Sequence, residues 1–343
     1  MISGPGPSVN ASGRVQNDRR FTAADSSVQE LTGVRRVAVV GAGLIGARWA
    51  AQFLAGGLDV VATDSAPGAE QRMLADIAAA WPALLRLGRT DVPRPPAVTF
   101  TAHLREAVAQ ADWVQESVPD DTRLKLEVMR RIDEVTKPRT IIASSTSGIL
   151  PTLLQSVCVH PDRVLVGHPF NPVHILPLVE VVPGKETAQY TVDRAMAFYS
   201  ALGKRPLHVR TEAPGFIANR LQEALCREFF HLVRDGICTT AELDEAMVHG
   251  PGLRLALFGP AFVYRLGGGR NGLVATLRQF NPTAIEDWSH NVYPPLTDEL
   301  VKALDAQTAA QAEGRSVEEW EALRDEFLVR LIQLREHMLR EDE

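Results

Sequence analysis

The sequence predicts an α/β chain, a doubly wound sheet followed by an all-helical C-terminal domain, on three observations. Short apolar runs alternate with amphipathic stretches from Arg35 to about Arg210, the pattern of strands and crossover helices in a parallel sheet covered on both faces. A Gly-x-Gly-x-x-Gly turn, Gly41, Gly43 and Gly46, joins the first strand to the first helix. Beyond Pro214 and Gly215 the apolar period is helical throughout. With 343 residues and 45% hydrophobic content the chain is long enough for two packed cores.

Residues 1–34 are rich in Gly, Pro, Ser, Ala and Asp and carry neither period, so they are expected to form a disordered tail with no part in the chemistry. Residues 35–213 then read as a dinucleotide-binding domain of the Rossmann type. Its expected elements are a strand VAVV, a helix Ile45 to Ala55, a strand Leu58 to Thr63 and a long helix from Ala69 to Leu87. A Pro-rich turn, Val92 to Pro96, precedes a short strand near Ala97 to Phe100 and a helix to Gln110. Strands at Asp112 to Val118 and Thr140 to Ser145 flank a helix from Asp121 to Val135, and a further helix starts near Pro151. Val164 to Gly167 is one more strand, opening into HPFNPVHILPLVEV, where Pro169, Pro172 and Pro177 predict an irregular extended path. A helix, Thr191 to Leu202, and a strand, Arg205 to Arg210, close the domain. Residues 214–343 read as a helical substrate and dimerisation domain, from the amphipathic run Phe216 to Arg234 to the Leu-rich stripe of Glu318 to Leu339. Its surplus apolar faces point to a homodimer.

The glycine turn carries the cofactor expectation. Gly41 permits the tight turn, Gly43 lets the backbone approach a pyrophosphate, and Gly46 lets helix and strand pack closely. Leu44 and Ile45 open the helix whose N-terminal amides would meet the anion. Asp64, 18 residues beyond Gly46, ends the second strand, where a carboxylate accepts ribose hydroxyls and repels a 2′-phosphate, so the expected cofactor is NAD. The net charge of −6, with mixed signs, leaves no basic stripe for nucleic acid. No apolar run approaches the ~20 residues of a membrane span and no signal-peptide plan is visible, which points to the cytoplasm. Cys158, Cys226 and Cys238, odd in number and far apart, suit reduced thiols; no metal site is expected.

Oxidising a secondary alcohol requires a hydride acceptor on one face of the carbon and a base for the hydroxyl proton. His168, at the ligand edge of the predicted sheet, is the candidate base, although from the residues alone a lone histidine before a proline is more often a satisfied loop histidine. Glu180 lies inside an expected apolar strand, PLVEVV, where a carboxylate needs a partner to be tolerated. Pairing the two answers both needs, the acid fixing the imidazole's tautomer and stabilising the imidazolium.

With VAVVGAGLIG, QES, SSTSG, GHPFNPV, LVEVV and PGFIANR in order, the chain resembles the 3-hydroxyacyl-CoA dehydrogenase superfamily. Within it, DSAPGAE, AWPAL, SSTSG, HPFNPV and AEGRSVEEWEALRD resemble the carnitine 3-dehydrogenase branch. The resemblance implies NAD-dependent oxidation of the 3-hydroxyl of L-carnitine or a close 3-hydroxy acid, by His168 with Glu180. It further implies that Ser147 bonds the reacting oxygen, that Asn171 and Asn219 position substrate and dyad, and that Glu116 lies near the nicotinamide. Phe170 and Phe280 match aromatic residues of the branch, suited to a trimethylammonium head that has no N–H to donate. Phe262, Tyr264 and Trp288 are near Phe280 in sequence and are candidates to complete a cage, or core aromatics. Residues Gly272 to Pro282 and Asp287 to Ser289 depart from the branch, so the pocket wall of the helical domain is expected to differ. The alternatives are a 3-hydroxyacyl-CoA or L-gulonate substrate, or a NAD-binding protein without turnover. The first lysine is Lys125, and the helix after Asp64 offers only Arg72 and Arg86 to a CoA phosphate.

Overall fold

The computed structural model describes residues 28–268, 270, 272–279, 292–312 and 314–341. The chain divides into two units, Met1–Ala213 and Pro214–Glu343. In the first unit the strands are β1 (Arg36–Val40), β2 (Asp59–Thr63), β3 (Thr99–Thr101), β4 (Trp113–Glu116), β5 (Ile141–Ser144), β6 (Val164–Pro169), β7 (Leu178–Pro183) and β8 (Arg205–His208). The helices are α1 (Val28–Thr32), α2 (Leu44–Ala55), α3 (Ala69–Arg86), α4 (Leu104–Val108), α5 (Thr122–Asp133), α6 (Pro151–Gln155) and α7 (Gln189–Ala201).

All eight strands form one sheet in the order β3-β2-β1-β4-β5-β6-β7-β8. From β3 to β6 every pairing is parallel, with the strand order reversing between β1 and β4, the topological switch point at which such sheets bind ligands. The expectation of a parallel sheet is corrected at its far edge. β7 pairs antiparallel with β6, and β8 runs parallel to β7, so the last two strands are reversed. The predicted irregular path after Gly167 is in part this hairpin: β6 runs on through His168 to Pro169 before the chain turns.

The strands are apolar on both sides because both sides are covered. Val37, Val39, Val60, Ala62, Trp113, Ile141, Ala143 and Leu165 share a core with α2, α3 and α7. Trp113 stacks on Phe198 at 4.3 Å between centroids, and on α2 Trp49 and Phe53 meet Tyr199 and Phe198 of α7 at 5.4 and 5.9 Å, so the helix that follows the glycine turn is fixed by aromatic packing. Helices α4, α5 and α6 pack in sequence against one another on the alternate side.

The expected tail is also corrected where it meets the domain. Residues 28–32 form α1, and Val28 and Val34 are buried in the core beside α7, so this stretch is part of the fold; residues 1–27 lie outside the described residues. A five-residue helix carries too little periodicity to register in sequence, and tertiary contact makes it.

The second unit is helical throughout its described residues: α8 (Ala218–Arg234), α9 (Thr240–His249), α10 (Pro251–Leu257), α11 (Pro260–Gly267), α12 (Gly272–Gln279), α13 (Asp298–Gln311) and α14 (Val317–Glu341). Thr239 caps α9, with Glu242 reaching back to complete a capping box. Thr240 is tied to α13 through Gln307 and Gln311. Among the described residues no helix is long and apolar enough to cross a membrane.

Candidate active site

The dinucleotide end of the site is built from β1, β2 and α2. Gly41 has φ +98°, and a Cβ there would meet the Ser117 backbone at 2.7 Å, so the turn admits only glycine. A Cβ on Gly46 would lie 1.9 Å from the Gly41 oxygen, which fixes the closeness of helix to strand. At Gly43 a Cβ would meet nothing within 4 Å, so the space above the helix is open. Gly43 is also the N-cap of α2 and offers no side chain to its first turn. The amides of Leu44, Ile45 and Gly46 are thus left for an anion, and the residues present fit a dinucleotide.

Asp64 stands at the end of β2 and braces this turn. It accepts hydrogen bonds from the Ala42 amide at 2.7 Å and the Ala66 amide at 2.8 Å, one on each oxygen. Each carboxylate oxygen keeps a further lone pair for a ribose hydroxyl, so bracing the turn is compatible with a cofactor role.

The expected base and its acid stand on the β6–β7 pair. His168 and Glu180 are directly opposite in the antiparallel register, and Nδ1 of the imidazole donates to Glu180 Oε2 at 2.9 Å. Both are buried, at 5% and 0% exposure. The bond fixes the tautomer, leaving Nε2 as the basic nitrogen. Phe170 meets the His168 ring edge-on at 5.3 Å. Asn171 is exposed at the turn that follows, ahead of a cis bond to Pro172.

Between these ends lie β4 and β5. Glu116 is fully buried, and its oxygens are taken by Lys125 at 2.9 and 3.1 Å, by the Val118 amide at 2.7 Å and by the Ser144 hydroxyl. It closes the end of β4 from within, through a buried ion pair whose remaining valences are satisfied. The carboxylate that stands at the surface is Asp120. Ser147 donates to it twice, from its amide at 3.0 Å and its hydroxyl at 2.8 Å, and Lys125 approaches at 3.4 Å. Partial burial alone would raise the Asp120 carboxyl, but the bonds from Ser147 and Thr146 and the charge of Lys125 together hold it below the usual aspartate value.

Sequence reasoning missed the site roles of Asp120 and Lys125, although an acid directly after Pro119 and a lysine in the first turn of the next helix were there to be read. It also missed a buried network beneath β4 and β5. Tyr199 donates to Gln115 at 2.8 Å, Gln115 donates to Ser145 at 2.9 Å, and Ser145 meets Ser117 at 2.9 Å. The same Gln115 touches the Gly167 carbonyl at 3.5 Å, next to His168. Burial raises the Tyr199 phenol far above its ordinary value, so it acts as a fixed donor.

Lys204 holds the loop after Pro172. Its ammonium bonds the carbonyls of Val173 and Leu176 and lies 5.6 Å from the Trp49 ring centroid. Burial, reinforced by Arg89, pushes it well below the ordinary lysine value.

Of the residues expected in the second unit, Asn219 stands half-buried in the first turn of α8. Phe262 and Tyr264, on α11, are 46% and 50% exposed and are not core aromatics of this unit. Phe280 and Trp288 lie outside the described residues. No cluster of metal-ligating side chains occurs among the described residues.

A sheet that seats a dinucleotide at its switch point, with a buried base and its carboxylate two strands beyond, is that of an NAD-dependent dehydrogenase acting on a CH–OH group. Residues 36–213 match the family model described as 3-hydroxyacyl-CoA dehydrogenase, NAD binding domain, and residues 215–315 match its C-terminal domain; the chain belongs to this family. It is 46% identical to an L-carnitine dehydrogenase of Bacillus cereus, over 88% of this chain and 93% of that protein. It is 47% identical to an L-carnitine dehydrogenase of Burkholderia mallei, over 88% and 94%. Among solved structures it is similar to an NAD-dependent 5-formyl-3-hydroxy-2-methylpyridine 4-carboxylic acid 5-dehydrogenase, with a TM-score of 0.77, 31% identity and coverage of 88% of this chain and 99% of that one.

Proposed function

We propose that the chain oxidises the 3-hydroxyl of L-carnitine, or of a close 3-hydroxy acid, to the 3-oxo compound. The observation that carries the reaction type is the His168–Glu180 pair, a buried base with its orienting acid in register across β6 and β7. The substrate rests on relatives of 46% and 47% identity named L-carnitine dehydrogenase.

The residues divide the work in a definite way. Gly41, Gly43, Leu44, Ile45, Gly46 and Asp64 hold the cofactor. Bound NAD supplies the hydride acceptor. As the C3–H bond gives up its hydride, Nε2 of His168 takes the hydroxyl proton, and Glu180 stabilises the imidazolium so formed. Ser147, whose hydroxyl hydrogen rests on Asp120, turns it to the substrate oxygen as negative charge develops there. Asn171 and Asn219 position the substrate and the dyad. Phe170 is assigned to the ammonium head, which only aromatic faces or carboxylates can attract, and Phe280 is assigned with it from the resemblance alone. Glu116 supports the nicotinamide side of the site from within β4.

The protein works as a homodimer in the cytoplasm. Apolar residues left open on the helical unit, among them Leu225 at 55% and Phe327 at 64% exposure, support a second copy as their cover. Three free thiols suit a reducing compartment.

The test is NAD reduction, followed at the NADH absorbance band, with L-carnitine, 3-hydroxybutyryl-CoA and L-gulonate side by side. Carnitine is expected to give the highest kcat/KM by at least about 100-fold, the scale on which an unsolvated, unmatched head group is rejected. Turnover of the CoA ester or L-gulonate in preference to carnitine overturns the substrate.

A further inference from the structure

The cofactor and the dyad leave Arg48 unexplained. It sits on α2 one turn beyond the glycine motif, half-buried. Side chains on a helix lean toward its N-terminus, so a long one at this position covers the preceding turn, here the ligand edge at Leu44 and Ile45. Its Nη1 meets Nε2 of His174 at 3.3 Å. His174 is buried and lies six residues beyond His168 on the loop that Lys204 pins from beneath. The guanidinium therefore stands between the cofactor turn and the catalytic loop.

What it lacks is an anion. Among the described residues no carboxylate pairs with Arg48, its one hydrogen bond is to an imidazole, and its Nε is buried with no acceptor. The buried cations nearby are already occupied, Lys125 by Glu116 and Asp120 and Lys204 by the Val173 and Leu176 carbonyls, and an imidazolium at His168 is matched by Glu180. A five-donor planar fork whose one contact is an imidazole is suited to a pair of oxygens from a carboxylate or phosphate.

We infer that Arg48 is the seat for the carboxylate of the 3-hydroxy acid, held in position by His174. The inference rests on the proposed reaction and deepens it: the substrate must carry a free acid group near the carbinol carbon. The competing source of anionic oxygens is the diphosphate of the cofactor, and the two are separable by experiment.

The experiment compares wild type, Arg48→Met and Arg48→Lys, using L-carnitine and its primary carboxamide as substrates. NADH affinity is measured by fluorescence, and carnitine binding to the enzyme–NADH complex by calorimetry. Loss of one charge-assisted pair predicts a rise in KM for carnitine of about 10- to 100-fold in Arg48→Met, with partial recovery in Arg48→Lys. NADH affinity stays within about twofold, and the carboxamide is a poor substrate for wild type that Arg48→Met does not worsen further. A weakened NADH affinity with unchanged KM assigns the fork to the diphosphate and overturns the inference. So does an equal loss on acid and amide, or a wild type that does not distinguish them, a comparison that holds even if Arg48→Met fails to fold. Wild type that binds carnitine without turning it over breaks the proposed reaction and leaves Arg48 to be judged on binding; wild type that neither binds nor oxidises it overturns both.

Discussion

At the scale of single residues, the pieces that sequence made legible are those whose chemistry is local. Gly41 and Gly46 are required by a positive φ and by close backbone approach, Gly43 leaves the space above the helix open, and Asp64 closes the adjacent strand. Glu180 betrayed itself as a charge within an apolar run. What was not legible are bonds between residues far apart in the chain. Ser147 and Asp120 are 27 residues apart, Tyr199 and Gln115 are 84, and Arg48 and His174 are 126. No spacing rule reaches across a sheet order that only the folded chain defines. Asp120 is the most consequential of these. Replacing it by Ala should lower kcat/KM about tenfold by freeing the Ser147 hydroxyl, while Asn, whose amide oxygen still accepts, should keep most of the activity. Because its folded-state pKa lies below the ordinary 3.8, Asp120 adds stability that is present above that value and is lost as pH falls through the lowered one. Wild type should therefore exceed Asp120→Asn in urea midpoint at pH 7, and the gap should close in strong acid. An Asp120→Ala enzyme as active as wild type, or a gap that does not change with pH, refutes this role.

At the scale of elements, the parallel half of the sheet was readable because each strand is a short apolar run followed by an amphipathic helix. The strands Val164 to Gly167 and PLVEVV were readable too, but not their antiparallel pairing, because the prolines between them read as an irregular path. Pro169 and Pro183 end their strands and Pro177 precedes one, places where a missing amide costs no ladder bond. The consequence is functional. In an antiparallel pair the two opposite residues lie on the same face, so the reversal of β7 is what brings Glu180 beside His168. Helix α1 was hidden for the opposite reason: it is too short to show a period, and only burial of Val28 reveals it.

At the scale of the whole molecule, the two units differ in how completely they bury their apolar residues. The first encloses nearly all of its strands, while α8, α10, α11 and α14 of the second leave large apolar side chains open. A second copy is the expected cover, and equilibrium sedimentation of the intact chain should give twice the 37.5 kDa chain mass. A species of single-chain mass at micromolar concentration would refute the dimer.

The chain belongs to a family whose cofactor half is secure, so the most direct measurement concerns what that cofactor is held for. His168→Ala, assayed for NAD reduction by L-carnitine alongside NADH binding, should lose about 10²- to 10⁴-fold in kcat while NADH affinity stays within about twofold. Retained oxidation within about tenfold of wild type, with a flat pH profile, would contradict a mechanism in which this histidine takes the proton.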